Sequence, residues 1–168
     1  MALFQPTEMF RGVERITPEY LAQKGIRGLI LDVDNTLTGH GSQELPAQVD
    51  AWLRAVKAAG VRLVIASNNV EKRVAPFAQR LGVAHCAFCC KPAPWGLARA
   101  RRILGLAKGE VALVGDQIFT DALGANLYGI PILLVQPMYE DTKPSIRLKR
   151  ALEAPVLAHW RKKGGRIL

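Results

Sequence analysis

Short apolar runs recur along this chain, each followed by polar residues and separated from the next by a helix-length segment. They are Gly28-Leu29-Ile30-Leu31, residues 61–66, residues 83–90, Val111-Ala112-Leu113-Val114 and Ile132-Leu133-Leu134-Val135. Runs this short and this continuously apolar suit strands buried on both faces of a parallel sheet. The segments between them have helical periodicity. Pro46 can start a helix whose Val49, Trp52, Leu53 and Val56 fall at i, i+3, i+4 and i+7, with Gly60 at its end. Val74, Phe77, Ala78 and Leu81 repeat the spacing before Gly82, a third helix spans about 94–104 before Gly105, and a fourth runs from about Asp121 to Tyr128 before Gly129 and Pro131. This alternation predicts an α/β fold, a doubly wound, Rossmann-like parallel sheet of about five strands with helices on both faces. With 168 residues, 49% of them hydrophobic, and no repeat or linker, the chain reads as one domain over 1–168.

In such a sheet ligands bind at the carboxyl ends of the strands, and the polar residues there are chemically specific. Directly after the first run comes Asp32-Val33-Asp34-Asn35-Thr36-Leu37. Two carboxylates so placed can divide a phosphoryl transfer, one attacking phosphorus while the other handles the proton of the leaving oxygen. Taken alone, the pair also suits a helix N-cap and turn. A calcium loop is excluded, because Thr36 and Leu37 stand where a third oxygen ligand and a glycine belong. The later strand ends supply Ser67-Asn68-Asn69, then Lys91-Pro92, then Gly115-Asp116-Gln117-Ile118-Phe119-Thr120-Asp121. Together these are a carboxylate pair, a hydroxyl clamp, a lone ammonium and a second acidic pair able to hold Mg²⁺ through hard oxygen ligands.

No apolar run approaches the ~20 residues of a membrane span, and the first residues lack the pattern of a signal peptide. Cys86, Cys89 and Cys90 cannot form a paired disulfide framework, which suits a reducing compartment, so a cytoplasmic protein is expected. With His85 these cysteines offer half of a zinc knuckle, but the other half is missing, and small thiols also pack well in a buried strand.

Charge is unevenly distributed. From residue 143 to 168 stand Lys143, Arg147, Lys149, Arg150, Arg161, Lys162, Lys163 and Arg166 against the single acid Glu153, which is +7 of the net +9. Leu148, Ala151 and Leu152 can line one helical face, and Val156, Leu157 and Trp160 form a second apolar group. Two readings of this basic helical segment follow. It is a terminal helix packed on the sheet with a solvated face, or a patch that docks on an anionic membrane surface or nucleic acid.

The four motifs, spread over roughly residues 28 to 136, resemble those of the haloacid-dehalogenase (HAD) phosphatase superfamily, DxDxT, Ser/Thr, Lys and GDxxxD. The wider pattern is similar to the YqeG-type HAD subfamily IIIA phosphatases, whose eukaryotic and plant relatives are phosphatidylglycerophosphate phosphatases. It includes Phe4-x-Pro6, Gly25-Ile26-Arg27-Gly28, Ser67-Asn68-Asn69 and Gly115-Asp116-Gln117. The resemblance implies that Asp32 forms an aspartyl-phosphate while Asp34 serves as general acid and then base. It implies Mg²⁺ on the Asp32 carboxylate, the Asp34 carbonyl and Asp116, supported by Asp121. Ser67 and Lys91 would hold the phosphoryl oxygens, with Lys91 also keeping Asp32 ionised. Asn35, Thr36 and Asn68 would supply backbone or amide contacts and motif shape, and for each of Asn69, Gln117 and Thr120 a structural role fits as well as a catalytic one. Many relatives insert a cap domain after the first or second motif. Here each of those intervals has room only for a helix and a strand, so an open, capless site is expected.

Four functions fit the pattern. A lipid phosphomonoesterase, peripheral at the inner membrane face, accounts for both the open site and the basic, partly apolar tail. A nucleotide or polynucleotide-end phosphatase accounts for the charge alone. A sugar-phosphate phosphatase needs a homo-oligomer to provide a lid, and an RNA- or ribosome-binding module leaves the catalytic set unused.

Overall fold

The apolar runs do form strands. In a computed structural model, which describes residues 2–140 and 144–168, the elements in chain order are β1 (Glu8–Phe10), α1 (Pro18–Gln23), β2 (Gly28–Leu31), α2 (Ala47–Ala58), β3 (Arg62–Ala66) and α3 (Glu71–Leu81), then β4 (Ala84–Cys86), α4 (Pro94–Leu104), β5 (Val111–Gly115), α5 (Leu123–Tyr128), β6 (Ile132–Val135) and α6 (Pro144–Lys162). The strands form one parallel sheet in the order β1-β6-β5-β2-β3-β4. Central β2 sets Ile30 against Leu113 of β5 on one side and Val64 of β3 on the other. The chain leaves β2 toward β3 and β4, then returns across it to β5, so the crevice between β2 and β5 is the switch point of the sheet.

Side chains alternate across this sheet into two cores. Leu29, Leu31, Ile65, Val114 and Leu133 face the first, which is covered by α2 and α3; Ile30, Val64, Leu113 and Leu134 face the second, which α4 and α5 cover. The periodic residues of α2 are the buried ones, and the Trp52 indole Nε1–H donates to the Ile16 carbonyl at 2.7 Å. Gly82 takes a left-handed φ of 61° to end α3, a conformation open to glycine without steric cost. Fully buried Phe77 fills the layer between α3 and the sheet. Its replacement by Ala is expected to cost about 3–5 kcal/mol by the cavity it leaves. Urea denaturation measures this directly; a loss below ~1 kcal/mol contradicts the packing described.

Two expectations about element bounds need correction, while the expected parallel sheet of about five strands is present with six. The additional one, β1, is three residues long, too short for a periodic signal, and is held by pairing Glu8, Met9 and Phe10 with Leu133, Leu134 and Val135. The strand expected over residues 83–90 stops at Cys86, because Phe88 and Cys90 adopt left-handed φ values of 50° and 52° that no strand continues through. The fourth helix starts two residues late, since a π turn, Ile118–Ala122, precedes α5.

The basic segment is α6 and the turn after it; Lys143 lies outside the described residues. Trp160 is buried in the second core, with Val156 and Leu157 packed against it. Beyond the helix, the Leu168 amide donates to the Met9 carbonyl and the Arg11 amide to the Leu168 carbonyl, both at 2.9 Å, so the end of the chain clamps β1. Leu148 and Leu152 are 65% and 55% exposed, and the inward face at that level carries Arg150 and Glu153 instead. The packed-helix reading therefore holds for the distal half of α6, while the face through Leu148 and Leu152 points outward.

Candidate active site

The strand continues far enough past Leu31 for the Asp32 amide to donate to the Val114 carbonyl at 2.9 Å. Val33 turns into the first core, and alternation puts Asp32 and Asp34 on the cleft side. The chain then folds back sharply. Asn35 has φ 60°, its amide donates to the Thr38 carbonyl at 2.7 Å, and its carbonyl accepts from Met138 at 3.1 Å, so Asn35 shapes the turn. Thr36 sends its hydroxyl to Asp116 Oδ1 at 3.3 Å, which ties the first motif to the last.

Asp34 is held apart from the other acids. Its Oδ1 accepts from the Gly41 amide at 2.8 Å and from Arg73 Nη2 at 3.1 Å, and its Oδ2 from the Asn69 side-chain amide. Ser67, at the end of β3, accepts the Asn69 amide on Oγ at 3.2 Å and remains at the cleft floor. Asn68 makes a two-way clamp on Lys91: its Nδ2 donates to the Lys91 carbonyl at 2.9 Å and its Oδ1 accepts the Lys91 amide at 2.7 Å. The Asn68 side-chain amide is thus engaged with that peptide and positions Lys91.

Lys91 Nζ lies 2.5 Å from Asp32 Oδ1 and 2.7 Å from Asp121 Oδ1, with the side chain only 2% exposed. Gly115 makes this approach sterically open. A Cβ there would stand 2.4 Å from Asp121 Cγ, so a larger residue expels the carboxylate. Asp116 is fully buried and receives Arg150 on both Oδ2 and its carbonyl, the latter at 2.6 Å. Arg150 Nη1 also reaches Glu153 Oε2 at 3.0 Å, while Glu153 Oε1 accepts the Ile118 amide at 2.7 Å. α6 is thereby fastened to the loop that carries Asp116.

Carboxylate oxygens of Asp32, Asp116 and Asp121 all lie within 4.8 Å of one another. Burial pushes Asp32 up to about 7 against the pull of Lys91, with Asp121 adding to the rise. Burial likewise drives Asp116 well above the ordinary carboxylate range, opposed by Arg150. Lys91 is held above its usual value, since Asp121 and Asp32 outweigh the burial that alone would lower it. One ammonium, Lys91, is thus shared between two buried acids, Asp32 and Asp121. Three clustered carboxylates facing the cations of Lys91 and Arg150 form a hard-oxygen donor set with negative charge to spare, which fits a divalent cation such as Mg²⁺. The Asp34 side chain is outside that trio, compatible only with the carbonyl contribution expected of it.

These groups floor an open cleft of about 200 Å³, whose rim includes His40, Gln117, Thr120, Ile146 and Lys149. Arg73, Arg150 and Glu153 are the site residues that motif reading missed. The available signal was Glu153, the sole acid of a basic tail, three residues from an arginine on the same helical face. The cysteines go elsewhere. Cys86 and Cys89 are buried in the second core, the Cys89 thiol donates to the Cys86 carbonyl at 3.1 Å, and His85 pairs with Glu71 at 2.6 Å.

Comparison with known proteins agrees with this geometry. The family model described as haloacid dehalogenase-like hydrolase matches residues 42–129, and the one described as mitochondrial PGP phosphatase matches residues 2–78. The chain is 33% identical to the probable phosphatase YqeG of Bacillus subtilis (strain 168), over 96% of this chain and 94% of that one. It is 26% identical to the chloroplastic/mitochondrial phosphatidylglycerophosphate phosphatase 1 of Arabidopsis thaliana, over 87% of this chain but only 45% of the plant protein. A crystal structure of an uncharacterized protein from Listeria monocytogenes serotype 4b shares the fold, with a TM-score of 0.57 at 20% identity over 71% of this chain and 85% of that one.

Proposed function

The chain belongs to the haloacid dehalogenase-like hydrolases and is a phosphatase, and on that premise we propose that it is a Mg²⁺-dependent phosphomonoester hydrolase that turns over a lipid phosphate through an aspartyl-phosphate. The observation that carries the catalytic reading is the placement of Asp32 and Asp34 on one side of one strand end, with Lys91 against the first and Arg73 and Asn69 orienting the second. An Asp32 carboxylate oxygen attacks phosphorus, and the bond from phosphorus to the ester oxygen breaks. Asp34 delivers a proton to the departing alkoxide, then takes one from the water that attacks the aspartyl-phosphate, which releases phosphate and restores Asp32. Ser67 and Lys91 hold the phosphoryl oxygens, and Lys91 offsets charge as it develops. Mg²⁺, when bound by Asp32, Asp116 and Asp121 with the Asp34 carbonyl, supplies further charge neutralisation.

The lipid part of the proposal rests on different support. Only α2 stands between β2 and β3, and only α3 between β3 and β4, so on this reading residues 1–168 are one capless domain with an open cleft suited to a large substrate. Beside that cleft, α6 presents exposed Leu148 and Leu152 next to Arg147, a mixed face that suits an anionic membrane better than nucleic acid. No described helix is long and apolar enough to cross a membrane, so the proposed location is peripheral, at the cytoplasmic face. The plant relative's name points to the same substrate class.

Phosphate release across a panel of soluble phosphomonoesters, and from phosphatidylglycerophosphate in mixed micelles, tests the proposal. The lipid phosphate is expected to give the highest kcat/KM, and exhaustive chelation to abolish turnover until Mg²⁺ is restored. Preference for nucleotides, polynucleotide ends or sugar phosphates overturns the lipid assignment, and the last would direct attention to a lid from a second copy. Undiminished activity after chelation overturns the metal.

A further inference from the structure

We infer that Lys149 is a specificity residue, selecting substrates whose leaving alcohol carries a second anionic group such as a phosphodiester. The inference rests on the phosphatase reading of the same cleft. Ile146 and Lys149 lie one helical turn apart and line the cleft that Asp32, Ser67 and Lys91 floor. Their position is fixed by the next residues of α6, because Arg150 grips Asp116 and Glu153 accepts the Ile118 amide. Lys149 is thus the neighbour of an anchor to the motif loop, and its backbone is held there.

The cations around the catalytic acids are otherwise committed. Lys91 serves Asp32 and Asp121, Arg73 serves Asp34 and the Ser42 carbonyl, and Arg150 serves Asp116 and Glu153. Lys149 has no hydrogen bond or ion pair among the described residues, and it lines the cleft nonetheless. Depth then assigns its ligand. The transferring phosphoryl group sits on the floor beside Asp32, whereas the rim meets what projects outward from it, the alcohol and its substituents. An ammonium there is a compact point charge that favours an anion a few bonds from the reacting ester, and Ile146 offers hydrocarbon contact alongside. An uncharged alcohol leaves Lys149 unpaired and gains nothing from it.

Two soluble substrates that differ only in that group test this. One is glycerol 3-phosphate; the other is the same compound with a methyl phosphodiester on its far hydroxyl. Wild-type protein should prefer the diester compound in kcat/KM. The preference should fall about tenfold in Lys149→Ala and further in Lys149→Glu, return in Lys149→Arg, and shrink with added salt, as a charge-assisted contact at a solvated rim requires. Equal losses on both substrates overturn the inference, because they mean that Lys149 holds the phosphoryl group itself. A preference unaffected by any substitution overturns it as well. If the effect appears only in micelles doped with anionic lipid, and never with the soluble pair, Lys149 reads a surface and the inference fails. Calorimetric binding of glycerol bearing only the methyl phosphodiester separates the two readings. Lys149-dependent binding without hydrolysis of either substrate sinks the phosphatase reading and leaves the subsite standing, whereas binding indifferent to Lys149 removes the subsite.

Discussion

Purified Asp32→Asn protein is expected to release phosphate from an aryl monoester at least ~10³-fold more slowly than wild type while keeping its fold. The two outcomes separate because of what surrounds the residue. An amide oxygen still accepts from Lys91 Nζ, which stands 2.5 Å from Asp32 Oδ1, so the local geometry survives the change. The lost element is the attacking charge. Removing one of three buried carboxylates within 4.8 Å of one another also relieves repulsion, so the midpoint of thermal unfolding should stay level or rise. Retained turnover in a well-folded Asp32→Asn protein removes Asp32 as nucleophile, and a sharp fall in unfolding temperature shows that its role is structural.

A different signature is expected from Asp34→Asn. General acid and base catalysis contributes typically ~10²–10⁴-fold, and here it enters twice, on the leaving alkoxide and on the attacking water. A good leaving group needs little help in the first step. With 4-nitrophenyl phosphate the variant should therefore show a burst of nitrophenol of about one equivalent, followed by slow turnover as the aspartyl-phosphate waits for a base. With an alkyl phosphate both steps are slowed and no burst appears. Asp34 is well placed for a mutation this local, since Gly41 and Arg73 donate to an Asn oxygen as they do to Asp34 Oδ1, and the Asn69 amide need only turn over to accept from the new NH2. A uniform loss on both substrates without a burst contradicts the assignment of Asp34 to proton transfer.

What the sequence disclosed and what it withheld divide along contact distance. Asp32, Ser67, Lys91 and Asp116 were legible because each follows an apolar run, and parallel strands of one sheet bring their carboxyl ends together whatever lies between. Arg73 and Arg150 follow no run. They reach Asp34 and Asp116 from helices 39 and 34 residues away, contacts that only packing creates. Charge counting saw Arg150 and Glu153 as surface, since a tally of basic residues does not tell which of them turns inward. Asn68 was legible as a polar residue at a strand end, but its partner, the Lys91 peptide, depends on the left-handed turns at Phe88 and Cys90, for which no glycine gives warning.

The attachment of α6 to the Asp116 loop also bears on when the protein becomes active during its own synthesis. A chain made from its N-terminus has all four motifs and the strands β2 to β6 in place before residue 150 has been added. At that stage the Asp116 carboxylate has the Thr36 hydroxyl beside it but not yet the Arg150 guanidinium, and Ile118 has no Glu153 to accept its amide. The β1 edge is unclamped as well, because Leu168, which pairs with Met9 and Arg11, lies further still along the chain. The surroundings of Asp116 are thus completed by residues 150 and 153 rather than by the last motif itself, so a nascent chain stalled near residue 140 carries the candidate catalytic acids without these partners.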